Sequence, residues 1–166
     1  MRWSFPHHAA IDPDHVSAQT FFLWCFRGWV QGLRDNNADQ WTAVWNECAR
    51  RFGAADGRRL VSSLARCVNL LRRHALADFG YHQPCCPLRS AEEHALVDVF
   101  AATATGQARR AVGHAQALVL PHGVGDMIEA VSQIALVLGR HNLPLRPAQK
   151  GSVVTGASTA GSATIH

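Results

Sequence analysis

A chain of 166 residues with 48% apolar and 17% charged residues has the make-up of one globular domain. That composition argues against a disordered protein, and the length argues against two full domains. The net charge of +4 is mild, so where the charge collects matters more than its sum. The basic residues are fifteen arginines and one lysine, Lys150, a skew that reads as GC-rich bacterial coding bias.

In chain order, the first fifteen residues, MRWSFPHHAAIDPDH, lack the apolar run of a secretory signal and carry Asp12 and Asp14. The longest apolar run, FFLWCF at 21–26, stops at Arg27, far short of the roughly 20 residues of a membrane span. A cytoplasmic protein without membrane contact is the expectation. Its five cysteines then read as free thiols.

The pattern is helical nearly throughout, with no alternating strand. Asp12-Pro13 supplies a cap and a first helical residue for a helix running to about Asp35. This helix is apolar on nearly every side (Phe21, Phe22, Leu23, Trp24, Phe26, Trp29, Val30, Leu33), so it is either central or shared with a second copy in a homodimer. Asn37 caps a second helix, whose stripe of Trp41, Val44, Trp45, Cys48 and Phe52 ends at Gly53. A third, from about Asp56 to His74, aligns Leu60, Val61, Leu64, Val68 and Leu71.

The connection LADFGYHQPCCPLR comes next, and the Ser90 and Glu93 capping box opens a fourth helix with Leu96, Val97, Phe100 and Ala104. A fifth helix covers about Gln107 to Leu120 and is ended by Pro121 and Gly123. The sixth has the cleanest period, from Val124 through Met127, Ile128, Val131, Ile134 and Ala135 to Leu138. These elements predict an all-α fold: one compact bundle of about six amphipathic helices over residues 1–146. Residues 147–166, small and polar, are expected to be a flexible low-complexity tail.

Charge collects between residues 50 and 73, where seven arginines face the single acid Asp56. Arg59, Arg66 and Arg73 recur every seven residues opposite the leucine stripe, and Arg58 adjoins them. Such a face suits an acidic protein partner or a phosphate backbone. The segment has a helix-turn-helix flavour, with Ala49 and Gly53 four apart, but Arg59 then falls where that motif needs an apolar anchor. A solvated arginine face is the plainer reading.

Cys25, Cys48 and Cys67 lie on apolar helical faces and read as small core residues. Cys85 and Cys86 lie in the loop, in GYHQPCCPLRSAEEH. With His82 and His94 they are the candidate ligands of a zinc-type site, although adjacent cysteines of an extended chain point apart. Reactive-thiol chemistry is the other functional reading of the pair. The plainer expectation is a proline-stiffened crossing, with one cysteine inward, one outward, and Tyr81 and Leu88 anchoring its ends.

Enzymatic templates are missing: no P-loop, dinucleotide fingerprint, G-x-S-x-G elbow or paired Glu-x-x-His occurs. PHGVGD at 121–126 reads as an inter-helix turn rather than an anion cradle. The combined expectation is a non-enzymatic bacterial interaction or regulatory protein without a resident cofactor, contacting a partner through Arg58, Arg59, Arg66 and Arg73. The alternative is a metal or thiol sensor on residues 82–94.

Overall fold

The computed structural model describes residues 16–146 and 163–165. The Asp12-Pro13 helix start and most of the 147–166 segment lie outside the described residues. The chain is mostly helical, as the periodicity predicts. Five α-helices, rather than the expected six, occur among the described residues: α1 (Ala18–Arg34), α2 (Ala38–His74), α3 (Ala91–Ala104), α4 (Ala108–Gln116) and α5 (Val124–Arg140).

The count falls by one because the second and third predicted helices run together as α2. Only Gly53 leaves helical geometry inside it, with φ 77° and ψ 164°. That region is open to glycine and strained for any other residue. The stop read from Gly53 is therefore a one-residue kink, with no loop.

α1 begins at Ala18, with Ser17 as its cap. Ser17 is extended, and its hydroxyl accepts a hydrogen bond from Thr20 N–H at 3.2 Å, which satisfies one of the free donors of the first turn. Gln19 clasps this end to the segment after α5, donating to the Arg146 carbonyl at 2.7 Å and accepting from Arg146 N–H at 3.1 Å.

The fifth predicted helix also shortens, since α4 stops at Gln116. Val119 leaves the helix to bridge Ala75 at the end of α2. Pro121–Gly123 forms a short 3-10 turn before α5, which is the inter-helix reading of PHGVGD.

α2 packs against α1 and α5, and α3 against α4 and α5. α1 is central: Phe22 and Phe26 are fully buried, and Phe22 stacks on Phe100 of α3 with centroids 5.0 Å apart. Trp24, Trp29 and Leu33 of α1 also pack on this core. None of the exposed large apolar residues among the described ones lies on α1. Two glycines let α2 come close. A Cβ on Gly28 would stand 2.8 Å from Val44 Cγ2, and one on Gly32 would stand 2.6 Å from Trp41 Nε1.

The expectation of no strand is corrected at one place. Phe79–Tyr81 (β1) pairs antiparallel with Ala163–Ile165 (β2), in register Phe79 with Ile165 and Tyr81 with Ala163. Three residues are too few to register as an alternating pattern.

Candidate functional site

Two regions carry the sequence-predicted functional residues: the loop between β1 and α3, and the outer side of α2. The loop is organised by a residue that sequence reasoning treated as a mere interruption. Arg27, in the middle of apolar α1, is buried against Glu93 of α3, with side-chain exposures of 4% and 0%.

The pair is bidentate, Arg27 Nε donating to Glu93 Oε1 at 2.6 Å and Nη2 to Oε2 at 2.7 Å. Arg27 spends its other donors on the loop backbone, at the carbonyls of Gln83, Cys86 and Leu88. Glu93 accepts in addition from His82 N–H at 3.1 Å and from Ser90 N–H at 2.9 Å. Both buried charges are thus paired and saturated with hydrogen bonds, the condition under which burial is tolerable.

The capping box read from Ser90 and Glu93 is present in both halves, since Ser90 Oγ also accepts from Glu93 N–H at 3.1 Å. Ser90 Oγ–H then donates to the Gly80 carbonyl at 2.6 Å, fastening α3 to β1. A signal for Arg27 was available: a lone cation on a helix apolar all round must find a buried anion. Arg89 sits beside this pair, and burial together with the positive charge of Arg27 pulls its pKa below the ordinary arginine value.

Pinned in this way, the loop displays its cysteines differently from the expectation. Gln83-Pro84-Cys85-Cys86 is a tight turn closed by Cys86 N–H to the Gln83 carbonyl at 2.9 Å, with Pro84 at the position proline favours. Cys85 is exposed and Cys86 half-buried, so neither plugs the core. Tyr81 is buried and does anchor its end, whereas Leu88 is 66% exposed and does not. The Arg27 contact to its backbone carbonyl, rather than its side chain, holds that position.

His82, Cys85, Cys86 and His94 are not brought together as a ligand set. Among the described residues no group of three or more His, Cys, Asp or Glu side chains stands close enough to hold a metal ion. His74 turns to another partner, His122, across the α2 end.

The other three cysteines are core residues. Cys25 and Cys48 touch across α1 and α2 with sulfurs 3.9 Å apart, and burial beside Cys48 holds the Cys25 thiol well above its ordinary pKa. Cys67 donates to Met127 Sδ at 3.6 Å, and burial pushes its thiol up to about 12.

On the outer side of α2, part of the arginine run is neutralised by acids, some near in sequence and some far. Arg66 bonds Asp126 at 2.9 Å and Glu129 at 3.1 Å, both on α5. Arg59 meets Asp56 at 3.3 Å, while Arg50 and Arg51 share Glu47. Arg58, Arg72 and Arg73 are exposed and pair with no acid among the described residues. With Ser62 and Asn69 between them they occupy one side of the helix, an arc of about 100° at 3.6 residues per turn. The fifteen steps from Arg58 to Arg73, at ~1.5 Å each, make that stripe roughly 22 Å long.

Comparison of the chain with protein-family models, with curated proteins and with solved structures finds no match. No helix is long and apolar enough to cross a membrane among the described residues.

Proposed function

We propose that this is a non-enzymatic interaction protein that docks the outer side of α2 on an acidic protein partner. The observation that supports the reading is the stripe of exposed guanidiniums at Arg58, Arg72 and Arg73, which have no acidic partner among the described residues. Unpaired arginines on a stable helix suit bidentate carboxylate contacts and attract an acidic surface during encounter. Arg59 and Arg66, expected to share this role, are committed to Asp56 and to Asp126 with Glu129.

Those same acids favour a protein over a nucleic acid as the partner. Asp126 and Glu129 stand exposed beside the stripe, where they would repel a phosphate backbone but could be matched by a partner of mixed charge.

The test compares two ligands by fluorescence anisotropy across a salt series: a glutamate-rich peptide with interspersed lysines, which has the mixed charge the surface calls for, and a DNA duplex. The expected result is peptide binding that weakens with salt and falls about tenfold in the combined Arg58→Ala, Arg72→Ala, Arg73→Ala variant. Tighter binding of the duplex would replace the protein partner with nucleic acid. Binding of neither at low salt, or binding indifferent to the three substitutions, would remove the reading altogether.

A further inference from the structure

We propose that His74 and His122 form a binding site for a late first-row divalent cation such as Ni²⁺. The two imidazoles meet with His74 Nδ1 and His122 Nε2 3.0 Å apart, ring centroids 4.6 Å apart and planes crossed at 84°. This cluster is separate from the loop cysteines and does not depend on the docking surface of α2.

The separation is set by the backbone. His74 is the last residue of α2 and His122 the middle residue of the 3-10 turn. Leu120 N–H donates to the His74 carbonyl at 2.8 Å, Ala75 bridges Val119, and Leu76 N–H donates to the Leu118 carbonyl at 3.0 Å. Gly123 lies against His74 so closely that a Cβ there would stand 3.3 Å from the His74 Cβ. The end of α2 and the segment before the 3-10 turn are thus laced together beside the ring pair.

The spacing is within reach of a shared ion. Two nitrogens each ~2.1 Å from one metal stand about 3.0 Å apart at a right angle and about 3.4 Å apart at the tetrahedral angle. The 3.0 Å between the ring nitrogens is that of a hydrogen bond, and a small tilt of the rings from it lets both lone pairs converge on one ion. Imidazole donors also suit nickel and copper far better than calcium or magnesium, which take oxygen.

Coordination asks both facing nitrogens to present lone pairs. The ring that donates in the hydrogen bond must then carry its proton on its far nitrogen instead, a change of tautomer by exchange with water in which no electrons are transferred. His122 is exposed, which leaves room for water at the remaining positions. The carbonyl end of α2 favours a cation, while Arg72 and Arg73 just before it oppose one and limit the affinity.

The experiment is calorimetric titration of the untagged full chain with NiCl₂. One Ni²⁺ per chain is expected, with affinity falling on the order of tenfold or more in His122→Ala and in His74→Gln. A second readout avoids dependence on the variants folding: Ni²⁺ should broaden the imidazole proton resonances of His74 and His122 ahead of those of other histidines. No heat at millimolar Ni²⁺, binding unchanged in both variants, or broadening centred on other histidines would overturn the proposal.

Discussion

Arg27 and Glu93, sixty-six residues apart, form a buried bidentate pair that also holds the backbone of the loop between them. Neither charge can be removed alone without stranding the other out of water. Arg27→Met or Glu93→Ala should each cost about 3–5 kcal/mol in urea unfolding. The double variant should recover only in part. The carbonyls of Gln83, Cys86 and Leu88 and the amides of His82 and Ser90 would still lack partners. Trypsin cleavage after Arg89 should accelerate in the single variants, because the loop is then no longer pinned. Full recovery in the double variant would show that the ion pair acts only on itself.

Gly53 predicts a cost of a different origin. A Cβ there meets nothing within 4 Å, but φ is +77°, so Gly53→Ala should destabilise by about 1–3 kcal/mol through backbone strain alone. Gly28→Ala has ordinary helical geometry and instead drives a methyl to 2.8 Å from Val44 Cγ2. It should cost a similar ~1–3 kcal/mol by overpacking. Val44→Ala on the second background should relieve part of that loss, whereas no neighbouring truncation should rescue the first. Urea midpoints of the four proteins check both statements.

What could be read from the residues and what could not divide along a physical line. Helix positions, the Ser90–Glu93 capping box and the break at Gly53 are local, fixed by periodicity and by contacts three or four residues apart. The Arg66 pairing is not local: Asp126 and Glu129 lie about sixty residues on and become neighbours only when α5 packs on α2. The formal charge of the 50–73 run therefore exceeds the charge that this face presents. The β1 ladder leaves no trace in the sequence because three residues carry no period, and the His74–His122 contact leaves none because nothing in the spacing of two histidines 48 apart announces it. Arg27 was visible as an anomaly, but its partner was not.

Thiol chemistry separates the five cysteines cleanly. Cys85 is exposed and Cys86 half-buried, whereas Cys25, Cys48 and Cys67 are buried, with burial raising the thiols of Cys25 and Cys67. A water-soluble disulfide reagent at pH 8 should modify Cys85 quickly and Cys86 more slowly in the native protein. The other three should react only on unfolding in urea. Cys85→Ser should abolish the fast phase. Rapid reaction of more than two thiols without denaturant would contradict the burial of the helical set.

The acid limb of stability should report on Glu47 and Asp56. Burial alone would raise the Glu47 carboxyl, but hydrogen bonds from Arg50 and Arg51 outweigh it and hold the pKa below its ordinary 4.5. The hydrogen bond with His141, aided by Arg140 and Arg59, likewise keeps Asp56 below 3.8. A carboxyl depressed in the folded state contributes fully above its unfolded pKa, and that contribution disappears as pH falls through the folded value. Tm should therefore hold steady from pH 7 to about 5 and drop progressively below about 4.5. Glu47→Gln should lower Tm at pH 7 and flatten the descent, because the mutant has one fewer depressed carboxyl to protonate. A wild-type descent matched in depth by Glu47→Gln would mean the Arg50 and Arg51 pairs with Glu47 contribute nothing to the acid response.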